Sequence, residues 1–481
     1  MNGDSPKMSP AFQQREVTSF VIDSRDVKAG DMFFALSQPE YAENGFKGDF
    51  ADSTQFAASA LENGAVAAVV RRDRFEEHGA ELAGFEDRLI FVNDVIAALQ
   101  RLAHGVYLEW NKPVVAVTGS AGKTTAKELI AHVLSSSGRK VLRNIKNYNN
   151  GLGHPLTVLN LAADNSYDVA VLEMGMSTPL NEIERLCRIT PPDVAVELNV
   201  LPVHVEHLGS IEGVAKAKAE LVEGMKSGGT AVLNADDPRV AAMKILSQGK
   251  TVTFGIDNPS DITAEKIEFV EFGKTRFMLV TPAGKAEVSF PLNGRHNVLN
   301  ALAAAAVGHT FGMSAIGIAA SLGMVSAPPQ RGEILRFAAG FSVINDSYNS
   351  NPDALRSMVR TLVEGSAGSK RRIVVAGEML ELGNDAVEIH KRAGAEIAAS
   401  GVDMLVGVRG FGKDMVDGAV RVGMEHAVFA EDSEAAGKML VAEVRPGDVV
   451  LVKGSRGVRT EKVIELLLEN FELEGADRAA G

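Results

Sequence analysis

Short apolar runs separated by turn residues and one helical segment make up the N-terminal part of the chain. The runs Thr18–Ile22, Met32–Ala35, Ala67–Val70 and Leu89–Val92 are rich in residues that favour strands, and Phe56–Glu62 has helical spacing. Runs of this length between turn residues are typical of β-strands. The pattern therefore predicts a small mixed α/β domain over residues 1–112.

A stricter alternation begins after Pro113. Val114–Val117 is apolar at every position, as in a strand buried on both faces, and helical spacing follows from Ala126 to Leu134. Later apolar runs of similar length are Val169–Leu172, Val194–Leu198, Thr230–Leu233 and Thr251–Phe254, and a helical stretch covers Asn297–Val307. Such alternation predicts parallel strands joined by crossover helices. We therefore predict a central domain with a mostly parallel sheet over residues 113–327.

A third alternating unit follows Ala327-Pro328-Pro329. Its apolar runs, separated by helical segments, are Ser342–Asn345, Ile373–Ala376, Met404–Val408, His426–Phe429 and Val449–Val452. This pattern predicts a Rossmann-like α/β domain over residues 328–481. A chain of 481 residues is also long enough for about three domains.

Composition narrows the class of protein. Hydrophobic residues make up 46% of the chain and charged residues 23%, as in ordinary globular proteins, and the net charge is −13. An acidic chain lacks the basic surface of a nucleic-acid binder. No run reaches the roughly 18 apolar residues of a membrane span, and the N-terminal segment does not resemble a signal peptide. Cys187 is the one cysteine, so no intramolecular disulfide can form, which favours a reducing compartment. We therefore expect a cytoplasmic protein, and the acidic charge predicts no nucleic-acid partner.

The strongest motif lies between the first apolar run of the central domain and its helix. It reads Thr118-Gly119-Ser120-Ala121-Gly122-Lys123-Thr124-Thr125. In a strand–turn–helix context, backbone N–H groups at the helix start face phosphate oxygens. Lys123 would neutralise the β- and γ-phosphates, and the Thr124 hydroxyl would bind Mg²⁺. The first glycine stands two residues later than in a standard P-loop, so the turn is shorter, but the motif still predicts nucleotide binding.

Other polar residues follow strands of the same domain. Glu173 ends the run that begins at Val169, and ligands in α/β sheets bind beyond the carboxyl ends of strands. A carboxylate there could hold Mg²⁺. His204 and His207 follow the next run, and Lys218 lies on a helix after them. Taken by themselves, these three residues are more typical of a loop and a solvated helix face than of a metal site.

Together, the motifs resemble the Mur ligase family in kind and in order, from Asp23-Ser24-Arg25 to Lys453-Gly454-Ser455-Arg456. The shared segments are the phosphate loop, Glu173, Asn199 with His204, Ala217-Lys218, Gly294-Arg-His-Asn297-Val-Leu-Asn300, Arg331-Gly332 and Asn345-Asp346-Ser-Tyr-Asn349-Ser-Asn351-Pro352. The resemblance implies an ATP-dependent, amide-forming ligase. It is strongest to the branch that adds D-alanyl-D-alanine to UDP-N-acetylmuramoyl-tripeptide, a peptidoglycan precursor.

The resemblance also implies a role for each residue. Lys123, His204 and Lys218 would be catalytic, with Lys218 carbamylated. Two Mg²⁺ ions would be bound by Thr124, Glu173, His204 and Lys218. ATP would contact the loop Thr118–Thr125 together with Asn297, Arg331 and Asp346. Ser24 and Arg25 would contact the UDP end of the precursor, and Asn149, Asn150, Asn349 and Asn351 would bind peptide groups. We expect a monomer.

Alternatives remain at this stage. A sister ligase that adds the third-position diamino acid typically carries an Asp-Asn-Pro-Arg turn, whereas this chain has Asn351-Pro352-Asp353 with no arginine after the proline. Folylpolyglutamate synthase normally has its phosphate loop close to the N-terminus. A nucleotide-switch ATPase would need neither an N-terminal substrate domain nor the asparagine-rich segments. The family usually has Thr rather than Leu198 before Asn199, which leaves the geometry around His204 open.

Overall fold

The computed structural model describes residues 14–46, 48–145, 147–176, 181–202, 208–271, 273–366 and 368–475. Within them the chain forms three β-sheets, each flanked by helices. The predicted α/β class with three domains is therefore confirmed. None of the helices in these ranges is both long and apolar enough to cross a membrane.

The first sheet contains four parallel strands in the order β1-β2-β3-β4. Its strands are β1 (Ser19–Val21), β2 (Asp31–Phe34), β3 (Ala67–Arg71) and β4 (Leu89–Val92), and its helices are α1 (Gln38–Glu43), α2 (Ala57–Glu62), α3 (Arg72–His78) and α4 (Val95–Trp110). Asp94 caps α4 by accepting a hydrogen bond from the Ala97 N–H. Apolar residues of α4 pack in one core with residues of the second sheet, which joins the two units.

The second sheet carries nine strands in the order β13-β12-β11-β10-β9-β8-β5-β7-β6. The strands are β5 (Val114–Thr118), β6 (Val141–Arg143), β7 (Val169–Glu173), β8 (Val194–Glu197), β9 (Thr230–Asn234), β10 (Lys250–Gly255), β11 (Ile262–Glu271), β12 (Lys274–Thr281) and β13 (Gly284–Phe290). The helices are α5 (Lys123–Ser136), α6 (Gly153–Ala163), α7 (Glu182–Ile189), α8 (Ile211–Glu223), α9 (Pro238–Ala242), α10 (Arg295–Thr310) and α11 (Ala315–Leu322). Neighbouring strands from β6 across to β11 pair in parallel, whereas β12 is antiparallel to both β11 and β13.

The third sheet has six strands in the order β14-β15-β19-β16-β17-β18, of which β14 is antiparallel to its neighbour. Its strands are β14 (Glu333–Arg336), β15 (Ser342–Asp346), β16 (Arg371–Gly377), β17 (Met404–Val408), β18 (Ala427–Ala430) and β19 (Asp448–Lys453). Its helices are α12 (Pro352–Gly365), α13 (Ala386–Ala399), α14 (Gly412–Arg421), α15 (Ser433–Glu443) and α16 (Glu461–Asn470).

The predicted apolar runs match fourteen of the strands to within one or two residues, whereas β6, β11, β12, β13 and β14 have no counterpart among those runs. β12 alternates between buried and partly exposed positions, so it lacks the continuous apolar run that marks β5. The domain boundaries at residues 112 and 327 stay predictions.

Parallel strands bring distant residues to one edge of the second sheet. Val117 of β5 pairs with Glu173 of β7, and Thr118 of β5 pairs with Glu197 of β8. Because β5 lies between β7 and β8, the carboxyl ends of all three strands meet beside the phosphate loop. This edge is where an α/β sheet binds its ligand.

Candidate active site

A tight glycine turn joins β5 to α5. Gly122 is the N-cap of α5 and has a φ of 82°, a conformation that residues with a Cβ atom rarely adopt. The space is also closed, because a Cβ on Gly122 would lie 2.7 Å from Asn300 Oδ1. The turn leaves the positive end of α5 facing the sheet edge, as an anion site requires.

Asn199, two residues beyond β8, holds this turn in place. Its Oδ1 accepts from the Ala121 N–H at 2.8 Å, and its Nδ2 donates to the Ala121 carbonyl at 3.0 Å. The Asn199 carbonyl also accepts from the Ser120 N–H at 2.9 Å. A single asparagine therefore fixes the loop with both faces of its amide, which suits a side chain that both donates and accepts.

Lys123, the first residue of α5, folds back over the loop. Its Nζ donates to the carbonyl oxygens of Gly119 at 2.8 Å and Ser120 at 3.3 Å. Burial lowers the pKa of Lys123, and the nearby Glu173 carboxylate opposes that shift. The ammonium is thus held by neutral carbonyls at the position where phosphate oxygens would bring full negative charge.

Glu173, at the end of β7, accepts hydrogen bonds on both carboxylate oxygens. The Thr124 hydroxyl donates to Oε2 at 2.8 Å, and Asn149 Nδ2 donates to Oε1 at 2.7 Å. Gly175 leaves room for this contact, because a Cβ there would lie 2.8 Å from Asn149 Cγ. A hydroxyl and a carboxylate side by side are hard oxygen donors of the kind that Mg²⁺ prefers.

Asn144 is hydrogen-bonded through its side chain to the backbone of both Glu173 and Tyr148, which lies in the asparagine-rich loop. Its side chain is buried, its Oδ1 accepts from the Glu173 N–H, and its Nδ2 donates to the carbonyls of Glu173 and Tyr148 at 3.0 and 2.9 Å. The Asn144 carbonyl in turn accepts from the buried Lys127 Nζ at 2.5 Å. These contacts tie the asparagine-rich loop to the end of β7.

One cavity of about 350 Å³ connects these residues to the third domain. The central domain contributes residues from Ser120 to Thr125, Asn149, Glu173 and, from α10, Asn297 and Asn300, whereas the third domain contributes Arg331, Asp346, Tyr348, Asn349, Asn351 and Lys453. Residues as far apart in sequence as Ser120 and Lys453 therefore face one cavity, which is large enough for a nucleotide phosphate chain and part of a peptide.

Asp346 and Lys453 form the charged wall on the third-domain side. They are paired in register at the carboxyl ends of β15 and β19, and their ion pair joins Oδ2 to Nζ at 2.5 Å. Lys453 also donates to the Asn349 carbonyl at 2.8 Å. The ion pair therefore positions the loop that carries Asn349.

Arg331 reaches from the linker before β14 to the phosphate loop. Its Nη2 donates to the Thr124 hydroxyl at 3.3 Å, and its guanidinium lies 4.0 Å from the centre of the Tyr348 ring. Arg456 approaches the same ring at 5.5 Å. Tyr348 is thus placed between two cations, an arrangement that cation–π attraction stabilises.

His296 links α10 to α12 at the same interface. Its Nδ1 lies 3.0 Å from the Ser357 hydroxyl, and burial lowers its pKa to about 4. The imidazole is therefore neutral near pH 7, and it lines the cavity next to Asn297. The Asn297 side chain donates to the Asn293 carbonyl at 2.8 Å, which fixes its orientation.

Lys218 and Glu197 lie on the β8 side of β5, whereas Glu173 lies on the β7 side. α8, which carries Lys218, packs on β5 and β8, and both side chains are almost fully buried. Burial and the charge of Lys123 lower the pKa of Lys218 to about 7, while burial raises the pKa of Glu197 and Lys218 opposes that shift. Among the described residues neither Glu197 oxygen has a hydrogen-bond partner. This pair does not line the cavity in the part of the chain that the structure describes.

Several residues predicted from the sequence lie elsewhere. Ser24 and Arg25 stand on the first domain outside the cavity lining, and the exposed Arg25 pairs with Asp23. The Asn150 side chain accepts from the Gly153 N–H at 2.9 Å at the start of α6. Thr118 is buried beneath the loop, and its hydroxyl has no partner within the described ranges. His204 lies outside the described residues.

Two residues of this region carry no sequence prediction. Glu197 has the same signal as Glu173, an acid at the end of an apolar strand, and could have been found by that rule. Asn144 has no such signal, because its importance comes only from contacts with residues 4 and 29 positions away. Among the described residues no group of three or more His, Cys, Asp or Glu side chains is arranged to hold a metal.

Comparison with protein families gives two matches. Residues 117–308 match the Mur ligase middle domain, and residues 330–456 match the Mur ligase, glutamate ligase domain. The chain is also 33% identical over 465 residues to UDP-N-acetylmuramoyl-tripeptide–D-alanyl-D-alanine ligase of Bacillus subtilis, which covers 96% of this chain and 95% of that protein.

Solved structures show the same similarity. A MurF crystal structure from Acinetobacter baumannii superposes with a TM-score of 0.81 at 28% identity, covering 95% of this chain and 94% of that one. The MurF ligase of Thermotoga maritima in complex with ADP superposes with a TM-score of 0.80 at 28% identity, covering 96% and 99%. The similarity thus extends over all three sheets.

Proposed function

The chain belongs to the Mur ligase family, and we propose on that premise that it joins D-alanyl-D-alanine to UDP-N-acetylmuramoyl-tripeptide at the expense of ATP. It is an ATP-dependent, amide-forming ligase of peptidoglycan precursor synthesis. The observation that carries the proposal is the single cavity in which the phosphate loop and the loop of Asn349 and Asn351 face each other. Such a cavity suits a reaction between a phosphorylated acid and an incoming amine.

The proposed reaction has two steps. A terminal carboxylate oxygen of the precursor peptide attacks the γ-phosphorus of ATP, the bond to ADP breaks, and an acyl phosphate forms. The amine of D-alanyl-D-alanine then attacks the acyl carbon, loses a proton, and displaces inorganic phosphate. Phosphorylation is needed because a free carboxylate repels nucleophiles and has no good leaving group.

Residues of the phosphate loop bind the charged part of ATP in this scheme. Lys123 turns from the carbonyls of Gly119 and Ser120 towards the transferring phosphoryl group, where fixed positive charge stabilises the transition state. Arg331 adds a second cation from the linker, and its contact with Thr124 supports that role. Asn297 is proposed to contact the adenine, and Asp346 to reach the nucleotide from the third domain.

The chemistry of the donors fits Mg²⁺. The Thr124 hydroxyl and the Glu173 carboxylate are 2.8 Å apart at the start of α5. Two ions are proposed, held by Thr124, Glu173, His204 and carbamylated Lys218. When bound, they would supply positive charge to the phosphoryl oxygens.

Carbamylation of Lys218 is proposed from the family resemblance and is supported by its burial. A neutral amine adds CO₂ to give a carbamate and releases one proton, and a pKa of about 7 leaves much of the amine neutral near pH 7. The carbamate offers two oxygen ligands where the ammonium offers none. Lys218→Ala should lose most activity, and a short carboxylic acid added in solution should restore part of it. Full activity of this variant without bicarbonate would contradict the carbamate.

Substrate contacts complete the proposal. Asn149, Asn150, Asn349 and Asn351 are proposed to bind peptide groups, because amides both donate and accept. Ser24 and Arg25 are proposed to meet the UDP end of the precursor on the first domain. Domain boundaries near residues 112 and 327 are part of the same proposal. A monomer in the cytoplasm is proposed too, and the lone buried cysteine is consistent with a reducing compartment.

One assay separates this function from its alternatives. The protein is incubated with ATP, Mg²⁺, UDP-N-acetylmuramoyl-tripeptide and D-alanyl-D-alanine, and the products are resolved by mass spectrometry. We expect the pentapeptide precursor, with phosphate released only when both acid and amine are present. Product from the dipeptide precursor and diaminopimelate or lysine would instead identify the sister ligase. Steady phosphate release with neither partner would identify a nucleotide-switch ATPase.

A further inference from the structure

Both oxygens of the Glu173 carboxylate are already occupied by donors. Thr124 donates to one at 2.8 Å and the Asn149 amide to the other at 2.7 Å, in a site that is 3% exposed. An amide N–H₂ group can donate a hydrogen bond but cannot ligate a cation. A divalent cation that binds Oε1 from the direction now taken by the Asn149 N–H₂ group therefore displaces Asn149.

The backbone on both sides of this contact is fixed. Asn149 accepts from the Gly175 N–H at 2.8 Å through its own carbonyl. Asn144 holds the neighbouring Tyr148 carbonyl and both the N–H and the carbonyl of Glu173. These hydrogen bonds tie the segment of Asn149 to the segment of Glu173. Displacement of the Asn149 amide therefore changes the side-chain torsions of Asn149 and leaves the backbone of the loop where it is.

The freed amide has one open direction. Asn149 lines the cavity, so a rotated side chain would present its N–H₂ group to a substrate bound in the cavity. A peptide carbonyl or carboxylate is the acceptor that would replace Glu173. The amide then exchanges one anionic or carbonyl partner for another, and no donor is left unpaired.

We propose that Asn149 is a metal-released substrate donor: Glu173 holds its amide in the free enzyme, and a divalent cation bound to Glu173 releases the amide to the peptide substrate. Asn144 is the positioning residue that keeps the two partners in register. The proposal rests on the proposed function for the identity of the substrate. If the proposal is right, a bound cation raises the affinity for the peptide, and a bound peptide raises the affinity for the cation by the same factor.

The first test uses Mn²⁺ alone and needs no substrate. Binding to the full chain is followed by the electron paramagnetic resonance signal of free Mn²⁺. Asn149→Ala removes a competitor for Glu173, so Mn²⁺ should bind several-fold more tightly than to the wild type. The matched control Asn160→Ala changes an exposed asparagine on α6 and should leave the affinity unchanged. Unchanged or weaker binding in Asn149→Ala would overturn the exchange, and Asn149→Ser provides a second variant if the first is unstable.

The second test measures the coupling itself. The dissociation constant of UDP-N-acetylmuramoyl-tripeptide is measured by calorimetry with and without Mg²⁺, in the presence of an ATP analogue that cannot be hydrolysed. In the wild type Mg²⁺ should tighten binding, and in Asn149→Ala that enhancement should fall roughly tenfold or more, as for a hydrogen bond to a charged group. An equal enhancement in both proteins would overturn the proposal. Absence of precursor binding to the wild type would instead refute the proposed function.

Discussion

The ends of β7 and β8 place two buried acids on opposite sides of the phosphate loop, in very different surroundings. Glu173 receives a hydroxyl and an amide and faces the cavity. Glu197, paired in register with Thr118, receives no hydrogen bond within the described ranges and has Lys218 as its main charge partner. Both acids thus occupy the same kind of position at a strand end. Their hydrogen-bond donors differ, and this difference decides whether the carboxylate can bind a ligand in the cavity.

The difference bears on how each acid tolerates burial. Hydrogen bonds to a carboxylate offset the cost of removing it from water, whereas a buried acid without donors depends on a nearby cation. Glu173 can exchange the Asn149 donor for a metal ion, because that donor is a side-chain amide. Glu197 has nothing to exchange, so it acts on its surroundings through charge.

The largest expected effect comes from the cation that interacts with both acids. Lys123→Ala should lower turnover by roughly 10²–10³-fold, because it removes charge aimed at the transferring phosphoryl group. Circular dichroism should show an intact fold. Lys140→Ala, which changes an exposed lysine on the surface, is the control and should keep its activity. Near-normal turnover in a folded Lys123→Ala protein would remove Lys123 from the phosphate site.

The second prediction isolates the acid that faces the cavity. Glu173→Gln should lower turnover by roughly 10²-fold and raise the Mg²⁺ concentration needed for half-maximal rate, since an amide is a weaker ligand than a carboxylate. The measurement is the steady-state rate over a Mg²⁺ titration. Glu223→Gln, at an exposed position of α8, serves as the control. A change in turnover without any shift in Mg²⁺ dependence would separate Glu173 from the metal.

The third prediction uses a buried acid of the first domain as a reference. Glu40 accepts from the Ser37 and Val95 N–H groups, yet burial still raises its pKa to about 7. A group whose pKa is higher in the folded state stabilises the fold fully below the unfolded value of 4.5, and this stability is lost as pH rises through 7. The contribution of Glu40 to the free energy of unfolding should therefore fall by about 2 kcal/mol between pH 5 and pH 7.

Urea unfolding followed by the fluorescence of Trp110, the one tryptophan, would measure this effect at the end of α4. Glu40→Gln should flatten the pH dependence, although the amide can accept only one of the two N–H groups well. A slope that survives in Glu40→Gln would assign it to other groups.

The smallest expected effect concerns Glu197. Its carboxylate raises the pKa of Lys218 and would repel a carbamate at that position. Glu197→Gln should therefore increase the carbamylated fraction of Lys218 several-fold at a fixed, subsaturating bicarbonate concentration. Nuclear magnetic resonance with ¹³C-bicarbonate reports the carbamate directly, and Lys218→Ala identifies its signal. A smaller carbamate fraction in Glu197→Gln would mean that Glu197 supports the modification.

Much of the fold follows from the sequence because buried parallel strands leave a local signal. Val114–Thr118 and Val169–Glu173 are apolar runs that end in a polar residue, and the chain between them has helical spacing. The hairpin of β12 and β13 leaves a weaker signal, because one side of each strand is partly exposed and charged residues interrupt the apolar pattern. Local periodicity decides the element, and burial decides how clearly it is seen.

The sequence by itself determined the phosphate loop, the acid that follows β7 and the family, since each of these is a local run of residues. The tertiary structure decided the partners: Asn149 on Glu173, Arg331 on Thr124, and Glu197 beside Lys218. Those contacts join residues between 21 and 207 positions apart, counting from Glu197 to Lys218 and from Thr124 to Arg331. No short pattern encodes them, because they arise only when parallel strands and separate domains bring their ends to one edge.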